Sequence, residues 1–298
     1  MFQRCLSPRL ASAAGSEDTQ TRGAVGTGLE FGILGPLEVR RGGTPVPVGG
    51  ARQRALLGLL LCHANHVVSR DQLLDELLAG QPAGPAERML RVQISRLRQV
   101  LADEDAAPRV VTRPPGYVLL VQDGELDLQV FEQRVAAGRA ALAHGDPGQA
   151  AALLGAAESL WRGRPLADLE FEPFARFEMQ RLQELRLLAA EDRIDAELAL
   201  GHHDALCAEL GRLVAEHPLR ERLRGQLMVA LYRSGRQAEA LECYRAGRSL
   251  LVAEPGCAGC MSRCSPPTPC WTCPPRPGRW QPGPCHEISP PSPVAGTN

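Results

Sequence analysis

The sequence predicts a mainly α protein with a small β component, and three observations carry that prediction. From Leu29 to Val48, short apolar runs alternate with Gly-Pro and Gly-Gly turns, the pattern of a small antiparallel sheet. Between Pro85 and Leu101 the apolar residues recur at helical spacing, and Arg109 to Leu120 then becomes two short β-type runs around Pro114-Pro115-Gly116. From Asp127 to Glu254 the pattern is helical throughout, with Gly201 and Gly235 set 34 residues apart in the comparable stretches LALGHHDAL and LYRSGRQAEAL. That spacing matches the period of about 34 shown by stacked tetratricopeptide (TPR) helix pairs. An N-terminal α+β domain is therefore expected at residues 29–121, and an all-α TPR-like repeat domain at 126–254.

Composition narrows the function. A chain of 298 residues suits about two domains, and a net charge of -1 means that nucleic-acid binding must come from a local basic patch. All 33 basic residues are arginine, so a Walker-A lysine, a Schiff-base lysine and a kinase-type lysine are excluded. The motifs HExxH, GxSxG and GxGxxG do not occur either, and neither enzyme activity nor a cofactor is expected. No apolar run approaches the roughly 18 residues of a membrane span. Residues 1–28 lack the apolar core of a signal peptide and are expected to be disordered, in a cytoplasmic protein.

In chain order, strands are expected at Phe31–Leu34, Leu37–Arg40 and Pro45–Val48. A leucine-rich core helix, Ala51–His63, follows with Arg52 and Arg54 at its head. Ser69 reads as the N-cap of a second helix that carries Leu73, Leu74, Leu77 and Leu78. In the third helix Leu90, Ile94, Leu97 and Leu101 form a narrow apolar stripe. Opposite it lie Arg88, Val92, Ser95 and Gln99, with Arg91 and Arg96 at the edges. A solvated amphipathic helix has the same pattern. The arginine-tipped hairpin that follows favours a recognition helix and wing.

On that reading Arg88, Arg91 and Arg96 offer forks to guanine or phosphate, and Val92 meets a thymine methyl. Ser95 and Gln99 hydrogen-bond base or backbone, and Arg113 at the hairpin tip probes the minor groove or a phosphate. Arg52 and Arg54 are expected to hold phosphate at a helix N-terminus. Arg98, beside the leucine stripe, suits a surface salt bridge at least as well as DNA.

In the second half Leu128, Phe131, Val135, Ala140 and Leu142 begin an apolar face, and Gly145-Asp146-Pro147 turns the chain back through Ala150–Trp161. Further helices are read at Pro173–Leu200, Asp204–Glu216, Leu219–Ser234 and Gln237–Ala253.

Two resemblances follow from these residues. Residues 31–120, above all Val92–Arg98 (VQISRLR) and Thr112–Tyr117 (TRPPGY), resemble the winged helix-turn-helix of OmpR/PhoB-type regulators. Ala156–Gly163, Glu191–Gly201 and His217–Arg245 resemble the bacterial transcriptional activator domain. Together they resemble the SARP family, the Streptomyces antibiotic regulatory proteins, over roughly residues 29–254. The resemblance implies a sequence-specific activator of a secondary-metabolite (antibiotic) gene cluster that binds double-stranded promoter repeats, as a homodimer or oligomer on DNA, and recruits RNA polymerase including its sigma subunit. The alternatives are a helical-repeat interaction scaffold and a fragment of a larger regulator of the same type.

The resemblance stops near Val252-Ala-Glu-Pro-Gly, where a Pro/Cys-rich stretch begins; a change of reading frame is the favoured explanation, leaving the activator domain truncated. Six of the ten cysteines fall in the last 42 residues. Cys257-x2-Cys260 and Cys270-x2-Cys273 have thiol pairs that could suit zinc. Their nine-residue separation and the surrounding prolines favour a disordered, redox-labile tail at 255–298, and no metal is expected. His63-x2-His66 and His202-His203 sit at helix ends, where histidine commonly caps or is solvated.

Overall fold

The computed structural model describes residues 28–102 and 107–253, so the expectations for the N-terminal segment before Gly28 and for the cysteine-rich tail lie outside the described residues. The chain forms two compact units. One comprises the chain up to Ala136 with Leu154–Ala190; the other comprises Ala137–Leu153 and the chain from Glu191.

The first unit opens with an antiparallel sheet of β1 (Leu29–Gly32), β2 (Glu38–Arg41) and β3 (Thr44–Pro45), in register Leu29↔Arg41 and Arg40↔Pro45. The first strand lies two residues earlier than its hydrophobic run suggests. The physical reason is Asp127, whose carboxylate accepts the Ile33 amide at 2.9 Å and the Leu34 amide at 3.0 Å and so removes both from a ladder. The second strand is displaced by one residue, and the third is only two residues long, continued by one bond from the Val46 amide to the Val39 carbonyl at 2.8 Å.

Helix α1 (Ala51–Cys62) buries Leu56, Leu57 and Leu59–Leu61, so it is a core helix on nearly every side. A two-residue strand β4 (Val68–Ser69) precedes α2 (Arg70–Leu77), and the Ser69 hydroxyl accepts the Gln72 amide at 3.1 Å as the N-cap. Helix α3 (Ala83–Leu101) leads to the hairpin β5 (Val110–Arg113) and β6 (Gly116–Leu119). The second sheet has the order β4-β6-β5, with pairs Val68↔Tyr117 and Val110↔Leu119. Gly116 is required by close approach: a Cβ there would fall on the Val68 carbonyl.

This unit runs past the boundary that composition suggests near residues 121–126. It takes in the start of α4 (Asp127–Ala143), the end of α5 (Pro147–Glu158), a 3-10 turn at Ala167–Leu169, and α6 (Pro173–Ala199) as far as Ala190. Ion pairs and backbone bonds span the unit. Arg162 donates to Glu38 at 2.5 Å and to Asp127 at 3.2 Å, and its amide donates to the Leu34 carbonyl at 2.9 Å. Asp168 accepts the Leu37 amide at 2.7 Å. Phe131 and Trp161 meet edge-to-face with ring centres 5.3 Å apart.

The second unit comprises the end of α4, the start of α5, the end of α6, and α7 (His203–Glu216), α8 (Glu221–Arg233) and α9 (Gln237–Ala253). Gly145, Gly201 and Gly235 all have positive φ (76°, 89° and 77°) at the ends of helices. In each case the next amide reaches back five residues: Asp146 to the Ala141 carbonyl, His202 to Glu197 and Arg236 to Leu231, at 3.0, 3.1 and 2.9 Å. This helix-ending motif is the physical basis of the repeated glycine. Ala140 is a correction to the apolar face of α4: it is exposed, and Gly138 and Ala141 take the buried side.

Candidate nucleic-acid interface

The stripe on α3 is buried as its spacing demands. Leu90, Ile94, Leu97 and Leu101 are all at most 3% exposed, and α1 and α2 pack against this helix. The opposite face is open: Arg88, Arg91, Val92, Ser95, Arg96 and Gln99 are all exposed. Val92 is 47% exposed in the middle of this face, an apolar side chain with no core to join. Arg88 and Arg96 make no ion pair among the described residues. Arg91 pairs with Glu87 at 3.0 Å, but both side chains are at least half exposed, and such a surface pair contributes little, about 0.3–0.5 kcal/mol.

The C-terminal end of α3 is held from two sides. Arg41 of β2 donates to the Ala102 carbonyl at 2.8 Å, neutralising part of the negative end of the helix. Arg98 turns away from the open face and donates to the Val110 carbonyl and the Thr112 hydroxyl of β5, each at 2.8 Å. Arg113 is exposed at the end of β5, beside a cis Pro114–Pro115 peptide.

The two arginines of α1 separate. Arg52 is exposed, and its Nη1 lies 3.5 Å from Met89 Sδ, which brings the start of α1 alongside α3. No side chain caps that helix start. Arg54 is a correction to the expected phosphate-holding pair. Its guanidinium is bonded to Asp168 and to the Leu37 carbonyl, the latter at 2.7 Å, so its donors are engaged within the protein.

The sequence reading missed Arg70. It is exposed at the start of α2, its guanidinium is 5.9 Å from the Tyr117 ring centre, and its amide donates to the Pro115 carbonyl at 3.3 Å, placing it beside the wing turn. The available signal was an arginine directly after the Ser69 helix cap.

The histidines act locally. His63 Nδ1 lies 3.1 Å from the Leu59 carbonyl, and His202 Nδ1 lies 2.5 Å from Glu197. Burial, reinforced by the nearby Glu178 charge, pushes the Cys62 thiol up to about 12, far from a reactive thiolate. Among the described residues no cluster of His, Cys, Asp and Glu is arranged to hold a metal ion. Among the same residues no helix is long and apolar enough to cross a membrane.

Two family profiles match the chain. The family described as "Transcriptional regulatory protein, C terminal" matches residues 46–119, and the "Bacterial transcriptional activator domain" matches residues 126–258. The chain is 39% identical to the regulatory protein AfsR of Streptomyces griseus, over 78% of this chain and 23% of AfsR. It is 37% identical to the transcriptional regulatory protein MoaR1 of Mycobacterium tuberculosis, over 86% of this chain and 81% of MoaR1. The solved structure of Mycobacterium tuberculosis EmbR, in complex with a low-affinity phosphopeptide, superposes with a TM-score of 0.73 at 39% identity, covering 76% of this chain and 61% of EmbR. This chain thus spans about a quarter of AfsR and three fifths of EmbR.

Proposed function

Because the chain belongs to the SARP family of transcriptional regulators, we propose that it is a sequence-specific activator in which α3 chooses the DNA address and the helical repeats recruit the transcription machinery. The observation that carries this reading is the open face of α3. Exposed guanidiniums at Arg88 and Arg96, without an ion pair among the described residues, flank Val92, Ser95 and Gln99, and Arg113 projects from the adjoining wing.

A helix of this kind enters the major groove, where an arginine fork reads guanine O6 and N7 and an apolar side chain meets a thymine methyl. Arg88, Arg91 and Arg96 take the fork and phosphate roles, Val92 the methyl contact, and Ser95 and Gln99 the shorter hydrogen bonds. Arg52 neutralises a phosphate beside the uncapped start of α1, and Arg113 enters the minor groove or meets the backbone flanking it. Arg54 leaves this set because of its bond to Asp168.

Two or more protomers would bind promoter repeats spaced by one helical turn of DNA or a multiple of it. Their action would be cytoplasmic, on genes of secondary metabolism, through RNA polymerase and its sigma subunit.

The test is a salt-titrated mobility shift on the chain's own promoter region against random duplex. Selective binding, tighter by roughly a thousandfold or more with a steep salt slope, supports the reading; equal affinity for both duplexes overturns it.

A further inference from the structure

We infer that Arg98 is a positioning residue for DNA recognition, a strut that ties α3 to β5 and thereby sets where Arg113 is presented. The inference rests on the reading of α3 and the wing as the DNA-binding surface.

The four arginines between Arg88 and Arg98 do different things. Arg88 and Arg96 have no ion-pair partner among the described residues, and Arg91 holds only an exposed acid four residues away on its own helix. Among the described residues, Arg98 alone of the four bonds to another element. Its Nε donates to the Val110 carbonyl and its Nη2 to the Thr112 hydroxyl, both at 2.8 Å. Val110 and Thr112 are two residues apart, so they lie on one side of the strand, and a planar fork with two donors grips both at once. Lysine, a single point of charge, cannot reproduce that grip.

The strand gripped is the one that needs it. In the sheet order β4-β6-β5, β5 is an edge, paired on one side only, and it carries Arg113 immediately after Thr112. Through Arg98, one side of β5 is anchored to the recognition helix and the other to β6. A helix in the major groove and a wing tip at the flanking backbone make simultaneous contacts only when their separation is set in advance; a loose wing must be ordered at the moment of binding, which costs affinity. Arg98 therefore acts on DNA through Arg113, with no contact of its own.

A double-mutant cycle on the full chain tests this, with binding measured by fluorescence anisotropy on the promoter duplex that the wild type selects. Arg113→Ala is expected to weaken binding about tenfold and to lower the salt slope by about 1. Arg98→Ala is expected to weaken it by a similar factor. The double variant should be no weaker than Arg113→Ala alone, with no further loss of salt slope. The penalties for base substitutions read by α3 should be unchanged in all three, an outcome that general loss of fold would not give. Thr112→Val, which deletes one acceptor at nearly constant shape, should show a smaller loss that also vanishes in the Arg113→Ala background, and it carries the test if Arg98→Ala does not fold.

Additive losses, or a salt slope lowered by about 2 in the double variant, would make Arg98 a phosphate contact and overturn the inference. So would wild-type affinity in Arg98→Ala. If the wild type itself does not prefer promoter DNA, the functional reading fails and this inference falls with it; selective wild-type binding with an additive cycle removes the inference alone.

Discussion

Two regions of the molecule are rich in arginine, and they use it in opposite ways. On α3 and the wing, Arg88, Arg96 and Arg113 are exposed without an ion pair among the described residues. In the repeat domain, Glu191 and Asp192 are 1% and 7% exposed, and arginines close on them. Arg220 reaches Glu191 at 2.7 Å, Arg139 reaches Asp192 at 2.6 Å, and Arg222 spans Asp192 and Asp195 at 2.6 and 2.7 Å. Gln226 adds a bond to the Glu191 carbonyl at 2.8 Å. Burial works against the charge on Arg222, but hydrogen bonds to Asp195 and Asp192 outweigh it and hold its pKa well above the ordinary arginine value. The lesson is that arginine density does not identify a nucleic-acid surface. What separates the two regions is whether the chain supplies the anion. Where it does, the arginine is part of the fold; where it does not, the guanidinium stays open to solvent.

The largest expected effect breaks the repeat-domain side of this comparison. Glu191→Ala removes the buried carboxylate to which Arg220 and Arg222 donate; because both arginines are partly exposed and can be rehydrated, the loss is on the order of 2–3 kcal/mol, that of charged hydrogen bonds at a buried acceptor. Chemical denaturation should show that loss, while the folded fraction keeps its preference for promoter DNA. A variant that is stable but indiscriminate would erase the division between the two regions.

Next in size is Gly116→Ala. Its Cβ would meet the Val68 carbonyl, backbone against backbone, so β4 and β6 must part. A loss of about 2 kcal/mol in stability is expected from the strain, together with weaker DNA binding because Arg113 sits on the same hairpin. Wild-type stability would show that the wing is looser than its pairing implies. Arg96→Ala tests the other region directly: about 1–3 kcal/mol of binding should be lost with denaturation unchanged, since no ion pair among the described residues involves it. A matching loss of stability would place Arg96 with the structural arginines.

Local patterns in the chain were enough to find most elements. The leucine stripe of α3, the Ser69 cap and the Gly201 and Gly235 helix ends are decided by residues within about five positions of each other, so they are readable as sequence. Contacts across long separations were not. Ile33 and Leu34 look like strand, yet Asp127, 94 residues from Ile33, takes their amides. Arg54 looks like a phosphate ligand until Asp168, 114 residues on, is brought beside it. The strand β4 is only two residues long and exists because β6 passes it. For the candidate site, periodicity settled which residues of α3 face outward, but which arginines the protein itself consumes was decided by tertiary partners.

Asp127 supplies the smallest and most discriminating test, because it is a buried acid served mainly by backbone amides instead of arginines. Burial is the largest influence on it and raises its pKa; the Ile33 and Leu34 amides and Arg162 oppose that rise without cancelling it. A raised native pKa means that the folded state binds the proton more tightly than the unfolded state does. The stabilising contribution is then fully present below the ordinary carboxylate value of 3.8 and is lost as pH rises through the higher native value. Asp127→Asn cannot titrate, so the difference in unfolding free energy between wild type and this variant isolates the group from every other carboxylate. Measured by urea denaturation from pH 4 to 7, that difference should move against the wild type as pH rises and then level off. Movement in the wild type's favour would mean that two amides and one guanidinium outweigh burial at this site. Asp127 would then be an acid whose charge its hydrogen-bond partners compensate.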